Sequence, residues 1–218
     1  MKGCGLSRVP SRRTFDRRLV TISKDIKNRV TTMGKLFVHE KIIDPSILST
    51  DSTLIKAKGH VWYKSSMKKK VVPRSGIDTD ARWGFSHTKS WVFGYKLHMV
   101  ASTGSITVPL SADFTTANIP DNQMYSILTA RSSLPVTIIK KTLYMSADPG
   151  YDDHELYDLS TELGFRLVCP VQRYKSTSAD RIKLIKFYKS KVGQAIYYLR
   201  STSIEPLIGH IKSAFRID

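Results

Sequence analysis

Three acidic residues occupy positions at which a carboxylate could take part in chemistry. Asp148 directly follows the apolar run from Leu143 to Ala147, and Asp51 lies in a second strand-like run that begins at Ile47. An aspartate at the end of a buried strand is held at the rim of a sheet, where it can face a ligand without entering the core. Glu205 lies in a stretch that predicts a helix. Asp51, Asp148 and Glu205 therefore form a candidate triad.

Three converging carboxylates repel one another unless a cation binds them, so the triad predicts a divalent metal site. Oxygen ligands without a histidine or cysteine cluster favour Mg²⁺ or Mn²⁺ over Zn²⁺. Two such ions about 3.5 to 4 Å apart can activate a water or a DNA 3′-hydroxyl for phosphoryl displacement. Taken singly, such an aspartate is more often a turn or cap residue, and a helical glutamate is usually solvated. The joint placement on strand, strand and helix is what favours the metal site.

The overall charge points to the partner. The 218 residues carry a formal net charge of +17, which predicts a polyanion, and we expect double-stranded DNA. A merely solvated basic face is the alternative, and a membrane is disfavoured because we find no lipidation motif, basic amphipathic helix or long apolar run. Only Cys4 and Cys169 are present, which supports neither a disulfide framework nor a zinc site. We expect a soluble cytoplasmic protein associated with the nucleoid.

Residues 1–45 predict a basic helical segment that could be part of a DNA-binding region. Phe15 and Leu19 are four positions apart and share one helical face. The opposite face carries candidate DNA contacts, which are Arg12, Arg13 and Arg17. The pattern fits the second half of a helix-turn-helix and a plain basic surface helix equally well. A second helix, broken near Gly34, is expected to complete the segment.

The segment from Lys56 to Arg74 contains seven basic residues and no acidic one, and we expect it to be a loop. Its most basic run is Lys68, Lys69 and Lys70, which we take as candidate DNA contacts. Trp62 and Tyr63 among the lysines could stack on bases or cover an edge of the core, and a flexible solvated loop is an equal alternative.

The remaining elements predict an α/β domain over residues 46–218. Strands are expected at 47–54, 91–100 and 106–112, and alternating helices and strands follow, ending in a helix near 202–215. Asp152 and Asp153 are expected to cap the helix at 152–163. Three antiparallel strands followed by alternating units give a mixed sheet flanked by helices, which is the topology of the ribonuclease-H-like fold. In that topology the strands of Asp51 and Asp148 are neighbours.

Several motifs together resemble the DDE-domain transposases of bacterial insertion sequences. Asp51-Ser52-Thr53 is similar to the first motif, and Ser146-Ala147-Asp148-Pro149-Gly150-Tyr151-Asp152 is similar to the second. The third motif of this type has Tyr, Arg, Glu and Lys at near-fixed spacings, and its counterparts here are Tyr197, Arg200, Glu205 and Lys212. The steps from Tyr to Arg and from Glu to Lys agree with the pattern, whereas the step from Arg to Glu is one residue longer.

The resemblance implies a metal-dependent enzyme that cleaves the ends of a mobile element and joins them to target DNA. Asp51, Asp148 and Glu205 would be its metal ligands, and Tyr197, Arg200 and Lys212 would contact DNA, with a homodimer possible on the DNA. Both ends usually extend further in that family, so we expect a shortened copy. The alternatives are a catalytically inactive DNA-binding remnant and another ribonuclease-H-like nuclease.

Overall fold

A computed structural model describes residues 12–86, 90–171 and 178–217, with side chains from residue 25 onward except at Lys27. The strands are β1 (Ile47–Lys56), β2 (Arg82–Ser86), β3 (Ser90–Ser102), β4 (Pro109–Thr116), β5 (Tyr144–Ser146) and β6 (Arg166–Val168). The helices are α1 (Arg12–His39), α2 (Lys64–Lys68), α3 (Asp121–Thr129), α4 (Val136–Ile139), α5 (His154–Glu162), α6 (Ala179–Lys189), α7 (Lys191–Thr202) and α8 (Ile204–Phe215).

The strands form one mixed sheet with β1 near its centre. The long strand β3 pairs antiparallel with β1 along one edge. Its other edge pairs first with β2 and then with β4, both antiparallel. On the far side of β1, β5 and then β6 continue the sheet in parallel. The α/β class and the mixed sheet flanked by helices are thus confirmed, and β2 is a strand that the sequence did not predict.

Helices cover both faces of this sheet, as a layered α/β domain requires. On one face, α1, α3, α4 and α5 contribute to the main core, to which Leu48 of β1 and Met145 of β5 also belong. On the other face, Ile204 and Ile208 of α8 pack against Met99 and Ala101 of β3. The sheet edge that carries Asp51 and Asp148 is therefore supported from both sides.

A hydroxyl pair sets the register between β1 and β5. Ser49 lies opposite Ser146 in the parallel ladder, and the two hydroxyl oxygens are 2.6 Å apart in the fully buried interior. Asp51 and Asp148 each lie two residues beyond these serines, so the register brings the two aspartates level.

Helix α1 continues through Gly34, so the predicted break there is wrong. Gly34 is buried, and an added Cβ would lie 2.8 Å from Cδ2 of Leu110 on β4. The glycine allows a close helix-to-strand approach rather than a turn. Val38, near the end of α1, and Ile43, just after the helix, both belong to the main hydrophobic core. The proposed boundary at residue 45 stays a prediction.

Local contacts organise part of the basic segment that we expected to be a loop. It contains the short helix α2, and the Trp62 indole Nε1 donates to the Val71 carbonyl at 2.9 Å. The Trp83 indole of β2 in turn donates to the Trp62 carbonyl at 2.8 Å. Trp62 is thus held by hydrogen bonds within the protein, and its stacking on bases stays a prediction.

Within the described ranges, no helix is both long enough and apolar enough to cross a membrane.

Candidate active site

Asp51 lies in the middle of β1, opposite Met99 of β3, on the sheet face that α8 covers. Its side chain is 13% exposed. One carboxylate oxygen accepts a hydrogen bond from the Ser52 amide at 2.8 Å. The other accepts from the Arg200 guanidinium at 2.7 Å. The first candidate ligand is thus held on both of its oxygens.

Asp148 lies just beyond β5, separated from the end of the strand by one residue, Ala147. Its carboxylate accepts from the Gly150 amide at 2.9 Å and caps the 3-10 turn Pro149–Tyr151. A Cβ on Gly150 would lie 3.0 Å from that carboxylate oxygen, so the small residue keeps the turn close to the aspartate. The turn fixes Asp148 at the end of its strand, as the sequence pattern predicted.

Glu205 reaches the site from a break between two helices. Helix α7 ends at Thr202 and α8 begins at Ile204, and Ser203 joins them with φ −123° and ψ −82°. Arg200 lies in the last turn of α7 and Glu205 in the first turn of α8. Their guanidinium and carboxylate are 3.2 Å apart. The one-residue difference from the family spacing falls between these two residues, across the helix break.

Burial dominates the electrostatics of the two aspartates. It raises the pKa of Asp51 to about 6, an effect that Arg200 opposes and the charge of Asp148 reinforces. Burial also raises the pKa of Asp148, with Arg200 opposing and Asp121 reinforcing the shift. The two carboxylates therefore lie within each other's field, as the alignment of their strands predicts.

Arg200 contacts two of the three candidate carboxylates. Its guanidinium contacts both Asp51 and Glu205, so these two carboxylates lie within the span of one side chain. Its pKa is raised by the charges of Asp51 and Asp148, although burial acts in the opposite direction and is the largest influence. Among the described residues, no three histidine, cysteine, aspartate or glutamate side chains are close enough to form a ready metal cluster. The donor set, three carboxylates, has the chemistry that Mg²⁺ and Mn²⁺ prefer.

Tyr197 and Lys212 flank Glu205. Tyr197 precedes Arg200 by one helical turn and packs edge-on against Tyr188, with ring centroids 5.5 Å apart. It lines a pocket of about 570 Å³ together with Arg200 and Glu205. Lys212 lies two turns beyond Glu205, hence on the same face of α8. Of these two expected DNA contacts, Tyr197 thus lies in the same pocket as Glu205.

The other expected DNA contacts lie on α1 and near α2. Lys68, Lys69 and Lys70 are exposed, at the end of α2 and just beyond it. Arg12, Arg13 and Arg17 lie in the first two turns of α1, but their side chains fall outside the described residues.

A polar cluster behind Asp148 was missed from the sequence. Asp121, in the first turn of α3, lies 3.1 Å from Lys96 Nζ and 3.4 Å from His98 Nδ1, both on β3. His98 is fully buried, and burial lowers its pKa to about 4, so the ring is neutral near pH 7. The available signal was the spacing of Lys96 and His98, which puts both on one face of a strand. Because its charge raises the pKa of Asp148, Asp121 belongs to the surroundings of the site.

Asp152 and Asp153 have different roles. Asp153 caps α5, accepting from the Glu155 amide at 3.1 Å, as predicted. The capping role expected for Asp152 is wrong. Asp152 forms a buried ion pair with Arg181 and accepts a hydrogen bond from the Tyr157 hydroxyl at 3.0 Å. It anchors α6 instead.

Residues 43–218 match the family model described as Transposase DDE domain. A search of curated proteins finds no match. Among solved structures, the chain is similar to one in the cryo-EM structure of the simian T-cell lymphotropic virus intasome in complex with PP2A regulatory subunit B56 gamma. That similarity has 16% identity and a TM-score of 0.33, and it covers 71% of this chain and 46% of the other, less than half its length.

Proposed function

We propose, because the chain belongs to the Transposase DDE domain family, that it is a metal-dependent DNA transposase. It would cleave the ends of a mobile element and join them to target DNA. The observation that carries this proposal is that Asp51 and Asp148 each lie two residues beyond the paired Ser49 and Ser146 of the neighbouring strands β1 and β5, with Arg200 linking Asp51 to Glu205.

The sheet supports a ribonuclease-H-like catalytic domain. A central strand with two antiparallel neighbours in succession on one side and two parallel strands on the other is the arrangement expected of that fold, with β2 as an addition. In support of that domain, Asp51 lies in the central strand β1, and Asp148 follows the adjoining strand β5.

Asp51, Asp148 and Glu205 would hold Mg²⁺ or Mn²⁺. When bound, such ions activate a water or a 3′-hydroxyl and stabilise the leaving oxygen of a phosphodiester. The chain positions the ligands through the Ser49–Ser146 pair, the turn at Gly150 and the helix break at Ser203. Partial burial keeps bulk water away from the carboxylates and strengthens their interaction with a cation.

DNA would bind across the face that carries Tyr197, Arg200 and Lys212, with further phosphate contacts from Lys68, Lys69 and Lys70. The net charge of +17 supports this assignment, because phosphate neutralisation and counterion release supply most non-specific DNA affinity. A mobile element has two ends, so two protomers acting together on DNA are the natural arrangement. Such a protein would work at the nucleoid.

The test uses the full chain and a DNA that carries both ends of the sequence flanking its gene. We expect nicking at those ends with Mg²⁺ and none with EDTA. Asp148→Asn should abolish the nicking, whereas Asp158→Asn, an exposed change on α5, should leave it unchanged. Tight DNA binding without metal-dependent cleavage in the unmutated protein would instead identify an inactive, DNA-binding remnant.

A further inference from the structure

Arg200 is bound in an unusual way for a residue expected to contact DNA. One guanidinium nitrogen is 2.7 Å from Asp51 and another is 3.2 Å from Glu205. Its side chain is 11% exposed, and its Nε finds no acceptor among the described residues. The fork of donors that suits a phosphate is therefore turned toward two carboxylates.

The same two carboxylates are proposed metal ligands, so a metal ion and Arg200 compete for them. A divalent cation that binds Asp51 and Glu205 competes for the carboxylate oxygens that Arg200 contacts. It also repels the guanidinium at short range, since both are cationic. Arg200 and the metal cannot both keep their full set of contacts with these oxygens.

The structure offers the displaced side chain a place to go. Arg200, Tyr197 and Glu205 line the same pocket of about 570 Å³. Arg200 stands in the last helical turn before the break at Ser203, and the Glu205 side chain is 48% exposed. A phosphate in this pocket would lie within reach of the freed guanidinium.

We propose that Arg200 couples metal binding to DNA binding, because it pairs with Asp51 and Glu205 until a divalent cation displaces it toward a DNA phosphate. The inference rests on the proposed metal site and gives Arg200 a positioning role. Such coupling is reciprocal: the metal raises the affinity for DNA, and DNA raises the affinity for the metal by the same factor.

Mn²⁺ binding to the full chain without DNA tests the competition. Electron paramagnetic resonance of free Mn²⁺ at a fixed pH of about 8 gives the dissociation constant. Arg200→Gln removes the competing cation, so we expect Mn²⁺ to bind about tenfold more tightly, within the usual range of coupling between sites. Arg200→Lys keeps the charge and should stay close to the unmutated protein. Arg131→Gln removes a charge from an exposed position and should change nothing.

DNA affinity provides the second half of the test. Fluorescence anisotropy on an end-bearing duplex, with EDTA or with Ca²⁺ as a probe cation, measures how much a cation improves binding. We expect a gain of about tenfold for the unmutated protein and for Arg131→Gln, and less than about twofold for Arg200→Gln.

Two results would overturn the coupling: unchanged or weaker Mn²⁺ binding by Arg200→Gln, or an undiminished Ca²⁺ effect on its DNA affinity. Failure of the metal site itself looks different. In that case Asp148→Asn would not lower Mn²⁺ affinity in either background, or neither protein would bind Mn²⁺, and the coupling would fall with the site. Thermal melting of each variant verifies that it is folded.

Discussion

The carboxylate site and the basic segment from Lys56 to Arg74 carry their charges in contrasting ways. At the site, Asp51 and Arg200 are largely buried and paired, and their contact joins residues 149 positions apart. In the basic segment, the lysines of the run 68–70 are exposed, and the bonds of Trp62 join it to residues nine and 21 positions away, Val71 and Trp83. One region is built by the whole fold, and the other is built mainly by contacts over short sequence distances.

The difference indicates what each region can contribute. Buried charges interact strongly and at fixed geometry, which suits chemistry at a defined phosphodiester. Exposed lysines are screened by salt and mobile, which suits affinity without sequence choice. Changes at the carboxylates should therefore lower the rate far more than the affinity, and changes in the segment should do the reverse.

The largest expected effect is that of Asp51→Asn. Asparagine has nearly the same shape and can still accept from the Ser52 amide, but it lacks the charge that a cation needs. We expect the cleavage rate to fall more than about a hundredfold, since loss of even an outer partner of a metal ligand can cost 10- to 100-fold. DNA affinity, measured by anisotropy with Ca²⁺ present, should fall by no more than the roughly tenfold that the cation adds. A comparable loss of affinity would break the contrast between the two regions.

The second largest effect is expected from lowering the pH, which should slow cleavage. Because burial raises the pKa of Asp51 to about 6, this carboxyl gains a proton as the pH falls through 6 and can then no longer bind a cation. About a tenth of it is ionised at pH 5, so cleavage should be roughly tenfold slower there than at pH 8. Single-turnover rates between pH 5 and 8 give the midpoint. A midpoint near 4 would contradict the shift.

Replacing Lys68, Lys69 and Lys70 together by glutamine should affect DNA affinity only. If all three neutralise phosphates, the slope of log K against log salt decreases in magnitude by up to about 2.7, and affinity falls several-fold at moderate salt. Titrations at several salt concentrations measure both. Mn²⁺ affinity should not change, and an unchanged salt slope would show that this run does not touch DNA.

The smallest effect is expected on stability. Ser49→Ala removes one hydroxyl of the buried pair that sets the register of β1 and β5, and should cost about 1 kcal/mol. For a chain of this size, that lowers the melting temperature by about 2 to 4 °C. The matched change Ser65→Ala, at an exposed position of α2, should leave it within about 1 °C. Equal losses at both positions would remove the distinction between globally and locally built regions.

Sequence patterns identified the parts of the site that depend on short-range signals. Asp148 follows an apolar run and precedes a Pro-Gly turn, and both signals are local. The helix of Glu205 has an apolar face that packs on β3, so its period was visible. What could not be predicted was the position of Arg200, because its partners come from β1 and from across a helix break.

The strand β2 and the helix α7 were not among the predicted elements, and both omissions have the same physical cause. Strand β2 is five residues long and includes Gly84, at which a Cβ would meet the Ala117 carbonyl at 2.2 Å. Helix α7 includes Gly193, at which a Cβ would meet the Phe187 carbonyl at 2.1 Å. Glycine lowers helix and strand propensity, yet at these positions close packing requires it. Tertiary contacts that a local window does not contain overrode the local preference.

The long separation between Asp51 and Arg200 also has a consequence for synthesis. Ribosomes add about 5 to 20 residues per second, so a chain that has made Asp51 waits roughly 7 to 30 s for the residue 149 positions later. Glu205 is made later still. During that interval the nascent chain has no complete set of carboxylates, whereas its basic segment is completed early in it. Under the proposed function, the order of synthesis delays strand cleavage until the last helices have folded against the sheet.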